Sequence, residues 1–437
     1  MRFREVLLVI VLLAVGLVVY EAQTGKWDLH FGWEDDVFGW GKEFTYEESL
    51  TIPGPLPSSL DVANSHGWIE VRGADRESVQ LTFQKKVRRR DEAEAKAVAD
   101  NLHFKVDRTS GKLSLSTNRD EFTRRNFETG FILTVPRGLA VAIVNSYGRV
   151  KVEGVREADI RDSHGPISVD GVAGRCRLEG TYEDIEASNL RADCQVVGSH
   201  ADVKVLSAAG DLRIETSYAE IRFEDIGGKA DITGTHSSVE GRRVKGPVTV
   251  DTSYEKTVLS DVGAVRVRAR HAAVEVSDVR GDCDVQTSYE PVQARDVEGG
   301  FVVVGTNAAV SAINVKGGEI SVTTSYENVD LAGFSARVRV DVRHGNVTLG
   351  PSELKLPMEV RAEYANIDLG WPAGETCPVE ARSRGGSVHW GLAARPDVEK
   401  RNGTSLVKAF AGHTGGPAVT LSTTYGDIRI EEKSAKI

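Results

Sequence analysis

Apolar and polar residues alternate along most of the chain, and the alternation repeats about every eighteen residues. Each repeat is marked by a short element that ends in Tyr or His, and Asn307 takes one such position. The steps between markers are 17 to 19 residues. The markers are Tyr147, His164, Tyr182, His200, Tyr218, His236, Tyr254, His271, Tyr289, Tyr326 and His344.

The repeats align into apolar columns. The third residue after each marker is Val or Ile, except at Thr257, and a second segment carries a column that runs from Leu178 to Val340. Period-two alternation with β-branched residues predicts strands that bury one face. Identical columns at a fixed period predict that like residues stack on like. The fold class is therefore predicted to be all-β, a parallel β-helix (solenoid) with about 18 residues per coil.

The solenoid is predicted to have less regular ends. We assign 60–144 to an N-terminal cap and first coil, 145–350 to regular coils, and 351–437 to irregular C-terminal coils. Within the cap, residues 91–102 show a narrow apolar stripe that predicts one short capping helix, which would cover an open sheet edge. Near the C-terminus, 418–421 and 428–430 are expected to be closing strands.

The N-terminus reads as a membrane anchor. Residues 1–5 contain Arg2 and Arg4 and form a cytoplasmic stub, and the apolar stretch 6–22 is predicted to be a transmembrane signal anchor. A cleaved signal peptide is the alternative. Residues 23–59 form a linker rich in Trp, Gly and Pro. The remaining chain is then extracytoplasmic, in the periplasm or at the cell surface.

Composition narrows the classes of partner. The 437-residue chain has a formal charge of -10, which argues against nucleic-acid binding because phosphate neutralisation needs a basic surface. Four cysteines are too few for a disulfide framework and lack the paired spacing of a zinc site. We expect no cofactor and no metal.

Two columns have a possible chemical role. The Tyr/His column is interpreted as a stacked corner that sets coil register, with a sugar-stacking strip as the alternative if the rings face outward. Cys176 and Cys194 share one apolar column and are interpreted as buried small hydrophobes. Adjacent coils also bring their Cα atoms within disulfide range, so a cross-coil disulfide stays open.

Two charged clusters stand out in the sequence. Asp261, Asp278 and Asp296 come from three consecutive coils at one corner, and turn chemistry is favoured over calcium binding or acid–base catalysis. The basic run 85–90, with Arg119, Arg124 and Arg125, is interpreted as a solvated face of the cap. A patch for anionic lipid or polysaccharide is the alternative.

The segments LDVANSHGWIEVRGAD at 60–75 and LTVPRGLAVAIVNSYGRVKVEGV at 133–155 resemble the bacterial β-strand-repeat family of adhesin-like proteins. That family is similar in turn to adhesin-like head domains with the Gly-Ile-Asn motif. The resemblance covers roughly 43–437 and implies a β-helix at the cell envelope, without catalytic residues.

We therefore expect a non-catalytic, membrane-anchored envelope protein that acts as an adhesin-like binding or scaffolding surface, and not an enzyme. The expected partners are the membrane and either envelope polysaccharide or another envelope protein. A carbohydrate-active β-helix enzyme, of the polysaccharide lyase or hydrolase type, is the alternative function.

Overall fold

A computed structural model of the chain describes residues 41–109, 111–122, 126–410 and 418–432. In these residues each regular coil contributes one strand to each of two sheets. In each coil, the strand that follows the Tyr/His marker belongs to sheet 1. The strand that precedes the marker belongs to sheet 2. The two turns of each coil form two corners, the ring corner at the marker and the opposite corner.

The N-terminal part contains strands and one short helix. Its elements are β1 (Lys42–Ile52), β2 (Ser59–Ala63), β3 (Ile69–Ala74), β4 (Val79–Arg89), α1 (Glu92–Ala99), β5 (Phe104–Thr109), β6 (Lys112–Thr117), a 3₁₀ turn (Arg119–Glu121) and β7 (Phe127–Pro136).

Twelve regular coils follow, each with a strand in both sheets. In sheet 2 these are β8 (Ala140–Tyr147), β10 (Glu157–His164), β12 (Cys176–Thr181), β14 (Cys194–Ser199), β16 (Leu212–Ser217), β18 (Ala230–Thr235), β20 (Val248–Ser253), β22 (Val265–Arg270), β24 (Cys283–Ser288), β26 (Phe301–Thr306), β28 (Glu319–Thr324) and β30 (Arg337–His344). In sheet 1 they are β9 (Val150–Glu153), β11 (Ile167–Asp170), β13 (Ile185–Leu190), β15 (Val203–Ala208), β17 (Glu220–Ile226), β19 (Ser238–Val244), β21 (Thr257–Val262), β23 (Val274–Val279), β25 (Val292–Val297), β27 (Val310–Val315), β29 (Val329–Ala332) and β31 (Val347–Gly350).

The C-terminal part has eight more strands in the described residues. They are β32 (Met358–Tyr364), β33 (Ile367–Trp371), β34 (Val379–Arg384), β35 (Val388–Gly391), β36 (Asp397–Arg401), β37 (Thr404–Ala409), β38 (Val419–Thr424) and β39 (Ile428–Glu432).

The predicted columns are confirmed as buried ladders. In sheet 2 Val250 pairs with Ile232 and Val267 of the neighbouring coils, and all three side chains are buried. One apolar core runs along the whole rod from Ile52 to Ile430. At a rise of about 4.8 Å per coil, the twelve regular coils form a rod of roughly 55–60 Å.

The first coil does not lie at the end of the solenoid. Strand β2 pairs in parallel with both β6 and β8, and β3 pairs with both β7 and β9. The coil formed by β2 and β3 therefore lies between β6/β7 and β8/β9. Strands β4 and β1 extend sheet 1 outward by antiparallel pairing, and β5 extends sheet 2 in the same way.

The predicted capping helix is present as α1, with Asp91 as its N-cap. Its buried Ala95 and Ala99 pack with Leu102, Val87 and Phe127 in a small apolar cluster of their own. Strand β1 falls in the stretch 23–59 that we predicted to be a linker. Residues 42–52 are a strand because β4 offers them an edge of the same eleven-residue length.

The C-terminal strands were predicted in the right places along the chain but in the wrong position in space. Strand β38 pairs with both β32 and β34, and β39 pairs with both β33 and β35. They are therefore enclosed by other coils and do not close the rod. The outer position in sheet 2 belongs to β37 and β36, which pair antiparallel.

No helix of the described residues is long and apolar enough to cross a membrane. The predicted cytoplasmic stub and signal anchor, residues 1–5 and 6–22, lie outside the described residues.

Candidate functional site

Each Tyr or His marker stands at the ring corner, where the chain passes from sheet 2 to sheet 1. From Tyr182 to Asn307 these residues have φ between 53° and 76°, a left-handed conformation that makes a sharp turn. The side chains of the tyrosines point outward, with 57–58% of Tyr182, Tyr218 and Tyr254 exposed. The rings are therefore on the surface, which the sequence alone left open.

The outward rings stack on one another in two runs, which together we call the ring ladder. Neighbouring ring centroids are 4.4–5.8 Å apart and the planes differ by 7–29°. The first run comprises His66, Tyr147, His164, Tyr182, His200, Tyr218, His236, Tyr254, His271 and Tyr289, and the second comprises Tyr326, His344, Tyr364 and Tyr425.

The stacking decides which part of each ring is available. Except at the ends of each run, both faces of a ring are covered by its neighbours, so a sugar cannot stack on them. The edges of the tyrosine rings remain open to solvent. In the described residues, no ladder tyrosine of the regular coils uses its hydroxyl in a hydrogen bond to another protein group. The tyrosines of the regular coils thus present a row of exposed hydroxyl groups, one at every second coil.

A buried polar cluster supports the start of the ladder. The Asn145 amide donates to Asp162 Oδ2 at 2.9 Å and to the Gly148 carbonyl at 2.8 Å. Asp162 Oδ1 accepts from the backbone N–H of His164 at 3.2 Å. Burial raises the pKa of Asp162 to about 6, although these hydrogen bonds lower it. The cluster ties two coils together directly beneath the rings of Tyr147 and His164.

Asp261, Asp278 and Asp296, which we call the acidic row, lie at the opposite corner. They occupy turn positions there, as predicted. Asp261, Asp278 and Asp296 all have left-handed φ of 52–55°. Asp261 is paired with Arg280 at 2.5 Å, and Asp296 Oδ1 accepts from the Asn314 amide at 2.9 Å. Two of the three carboxylates are therefore already engaged by neighbouring side chains.

The cysteine pair is in register on adjacent strands. Cys176 of β12 faces Cys194 of β14, and both are free thiols in the core. A hydrogen bond with Cys176, together with burial, raises the pKa of the Cys194 thiol well above its ordinary value. Burial raises the pKa of Cys283 to about 12. Such thiols are unreactive because the thiolate is the nucleophile.

The basic run is divided between the two faces of β4. Lys85 is buried, pairs with Glu48, and donates to the Ala99 carbonyl at 2.8 Å. Lys86 lies over the ring of Trp68 at 4.6 Å. Arg119 is also buried, against the ring of Phe127. Its described members therefore do not form one exposed patch, and Arg124 and Arg125 lie outside the described residues.

Sequence reasoning missed a groove at the opposite corner. It has a volume of about 820 Å³ and is lined by Arg191, Ala209, Gly227 and Lys245, among others. Ala209 and Gly227 leave the space between the two cations because they have little or no side chain. The signal was present in the sequence, since these four residues are the ninth after successive markers.

In the part of the chain that the structure describes, no group of three or more His, Cys, Asp or Glu side chains could hold a metal ion.

Comparisons with known proteins add little. No family model matches the chain, and no curated protein matches it. Among solved structures, the chain is similar to a "putative cell adhesion protein" from Clostridium sporogenes, with 8% identity over 89% of this chain and 100% of that one and a TM-score of 0.17. That TM-score is too low to support an argument, so the solenoid assignment rests on the coil register.

Proposed function

We propose that the protein is a non-catalytic, adhesin-like binding surface of the cell envelope, held at the membrane by its N-terminal segment. The ring ladder is the observation that carries the proposal. It follows the surface of the rod in two runs, from the cap to Tyr289 and from Tyr326 to the C-terminal part, and the edges of its tyrosine rings face solvent. The resemblance of residues 60–75 and 133–155 to the adhesin-like family supports the same function.

The spacing of the ladder favours a linear polymer as the partner. Like groups recur every second coil, so successive tyrosine hydroxyls are about 9.6 Å apart, twice the coil rise. A polymer with a repeat of similar length could contact each hydroxyl in the same way, and many weak contacts would add up along the rod. Envelope polysaccharide has this repetitive, hydroxyl-rich character and is the partner that we favour.

The test is a binding screen of the full chain against an array of glycans and against peptidoglycan, run beside an assay for newly released reducing ends. We expect glycan retention without release of reducing ends. Release would instead support the polysaccharide-cleaving alternative, which no described side-chain cluster favours at present.

A matched variant separates binding from structure. Replacing Tyr182, Tyr218 and Tyr254 by Phe keeps every ring stack but removes three edge hydroxyls. We expect weaker glycan retention at an unchanged melting temperature. Equal retention by the variant and the parent chain would show that the ladder is only a structural device.

The proposed location has its own test. A reporter that is active only outside the cytoplasm, fused after Ile437, should be active, and the product should stay with the membrane. A shortened product released from the membrane would indicate that the N-terminal segment is a cleaved signal peptide.

A further inference from the structure

The ring ladder is interrupted once in the described residues, between Tyr289 and Tyr326. Asn307 occupies the ladder position of the coil between them, with the same left-handed backbone as Tyr289. The coils that carry these two tyrosines are two coil rises apart, about 9.6 Å. A flat ring placed midway would lie about 4.8 Å from each tyrosine, which is the spacing that the ladder itself uses. We call this gap the ring slot.

The coil that carries the slot also differs in charge. Residues 299–315 contain no Asp, Glu, Lys, Arg or His, although 27% of the chain is Asp, Glu, Lys or Arg. On its outer faces Val304 is 52% exposed and Ile313 is 37% exposed. In the preceding coil their partners in register are Gln286 and Arg295. The coil that carries the slot therefore forms an uncharged band across the rod.

The floor of the slot is polar. Asn307 is half-buried, and its Oδ1 is buried without a hydrogen-bond partner. An unpaired buried acceptor costs free energy, and an apolar ring inserted above it would leave that cost in place. A ligand with hydroxyl groups could use the hydrogen-bonding capacity of this amide.

From this geometry we infer that the ring slot binds one pyranose ring of a neutral glycan, between Tyr289 and Tyr326 and above the Asn307 amide. The inference rests on the proposed function and adds the class of sugar. The two tyrosines offer ring faces to the apolar sides of the sugar, unlike the rings within each run. An anionic sugar is disfavoured because the coil supplies no cation to pair with it.

The key variant is Asn307→His, which restores the alternation of Tyr and His and fills the slot. The variant should fold, because His occupies this position in other coils. Calorimetric titration of the full chain with neutral β-linked glucose and N-acetylglucosamine oligosaccharides should show affinity at least tenfold weaker than that of the parent chain. Asn307→Ala, which keeps the slot but removes the amide, should also weaken binding.

The matched control is Asn314→His, the same substitution in the same coil at the other left-handed turn. Its affinity should stay within twofold of the parent value. Unchanged affinity in Asn307→His would refute the slot while leaving the proposed function in place. A parent chain that binds neither a glycan on the array nor peptidoglycan would refute both.

The ligand class is tested separately. Tighter binding of polygalacturonate than of the neutral oligosaccharides would refute the assignment to a neutral sugar. The same assignment would be overturned by a protein partner that is lost in Asn307→His when no neutral sugar binds.

Discussion

The buried Asp162 gives a sharp test of the cluster beneath the ring ladder. Its side chain is 3% exposed, and its pKa is raised from 3.8 to about 6. A raised pKa means that the folded state holds the proton more tightly than the unfolded state. Stability from this group is therefore complete below pH 3.8 and is lost as the pH rises through 6.

The size of the effect follows from the shift. Two pKa units correspond to roughly 3 kcal/mol of differential interaction. Asp162→Asn removes the titration but replaces one of two hydrogen-bond acceptors by a donor, at a cost of about 1 kcal/mol. The variant should then be more stable than the parent chain by about 2 kcal/mol at pH 8. At pH 4 it should be equal or slightly less stable.

Urea unfolding followed by circular dichroism, with parent and variant measured side by side at pH 4 and pH 8, provides the assay. Asp184→Asn is the matched control, since Asp184 is exposed, and its effect should be the same at both pH values. If Asp162→Asn shifted stability equally at pH 4 and pH 8, the carboxyl would not be held protonated by burial and the reasoning would fail.

Other predictions concern the buried columns and the acidic row. Thr257→Val should stabilise the fold by about 1 kcal/mol in urea unfolding, because the Thr257 hydroxyl is buried without a partner in a column of Val and Ile; a loss of stability would contradict this. Val250→Asp should destabilise by about 4 kcal/mol or more, because it buries an unpaired charge, while the exposed Glu255→Ala should stay within about 0.5 kcal/mol. Equal effects would mean that the inside and outside faces are wrongly assigned. Chelation should leave the melting temperature unchanged; a calcium-dependent rise that disappears in Asp278→Asn would show a metal site in the acidic row.

The regular coils could be predicted closely because each one repeats the same local rule. A strand that buries every second residue, such as Ile185–Leu190, is recognisable from its own sequence, and its place in the stack follows from the period. The left-handed turn at Asp261 was also predictable, since Asp is common at such positions. The sequence pattern that specifies the regular coils is therefore repeated many times along the chain.

The ends could not be predicted in the same way. Strands β2 and β3 carry the local pattern of a coil, but no local signal says that β6 and β7 will pack on their outer side. Strands β38 and β39 were likewise predicted from their sequence pattern, but the strands with which they pair were not. Pairing between distant segments depends on which sheet edges are free, and this is a property of the whole chain.

The candidate site was predictable in position but not in character. The column of markers and its break at Asn307 are visible in the sequence. Period-two alternation does not show whether a corner residue points outward. The rings do so both where the marker has a left-handed φ, as at Tyr182, and where it does not, as at Tyr326. The ring slot needed the stacking geometry, because only the stacked runs show that the other ring faces are covered.

The enclosed first coil affects how the molecule would respond to mechanical tension. A force applied at residue 41 first loads β1, an edge strand with a single partner, β4. The next strand, β2, is hydrogen-bonded to β6 on one side and to β8 on the other. Extracting β2 requires the hydrogen bonds to both neighbouring strands to be sheared at once, whereas an outermost strand could be peeled away from one neighbour. A rod built in this way would yield at its edge strand and then resist further extension.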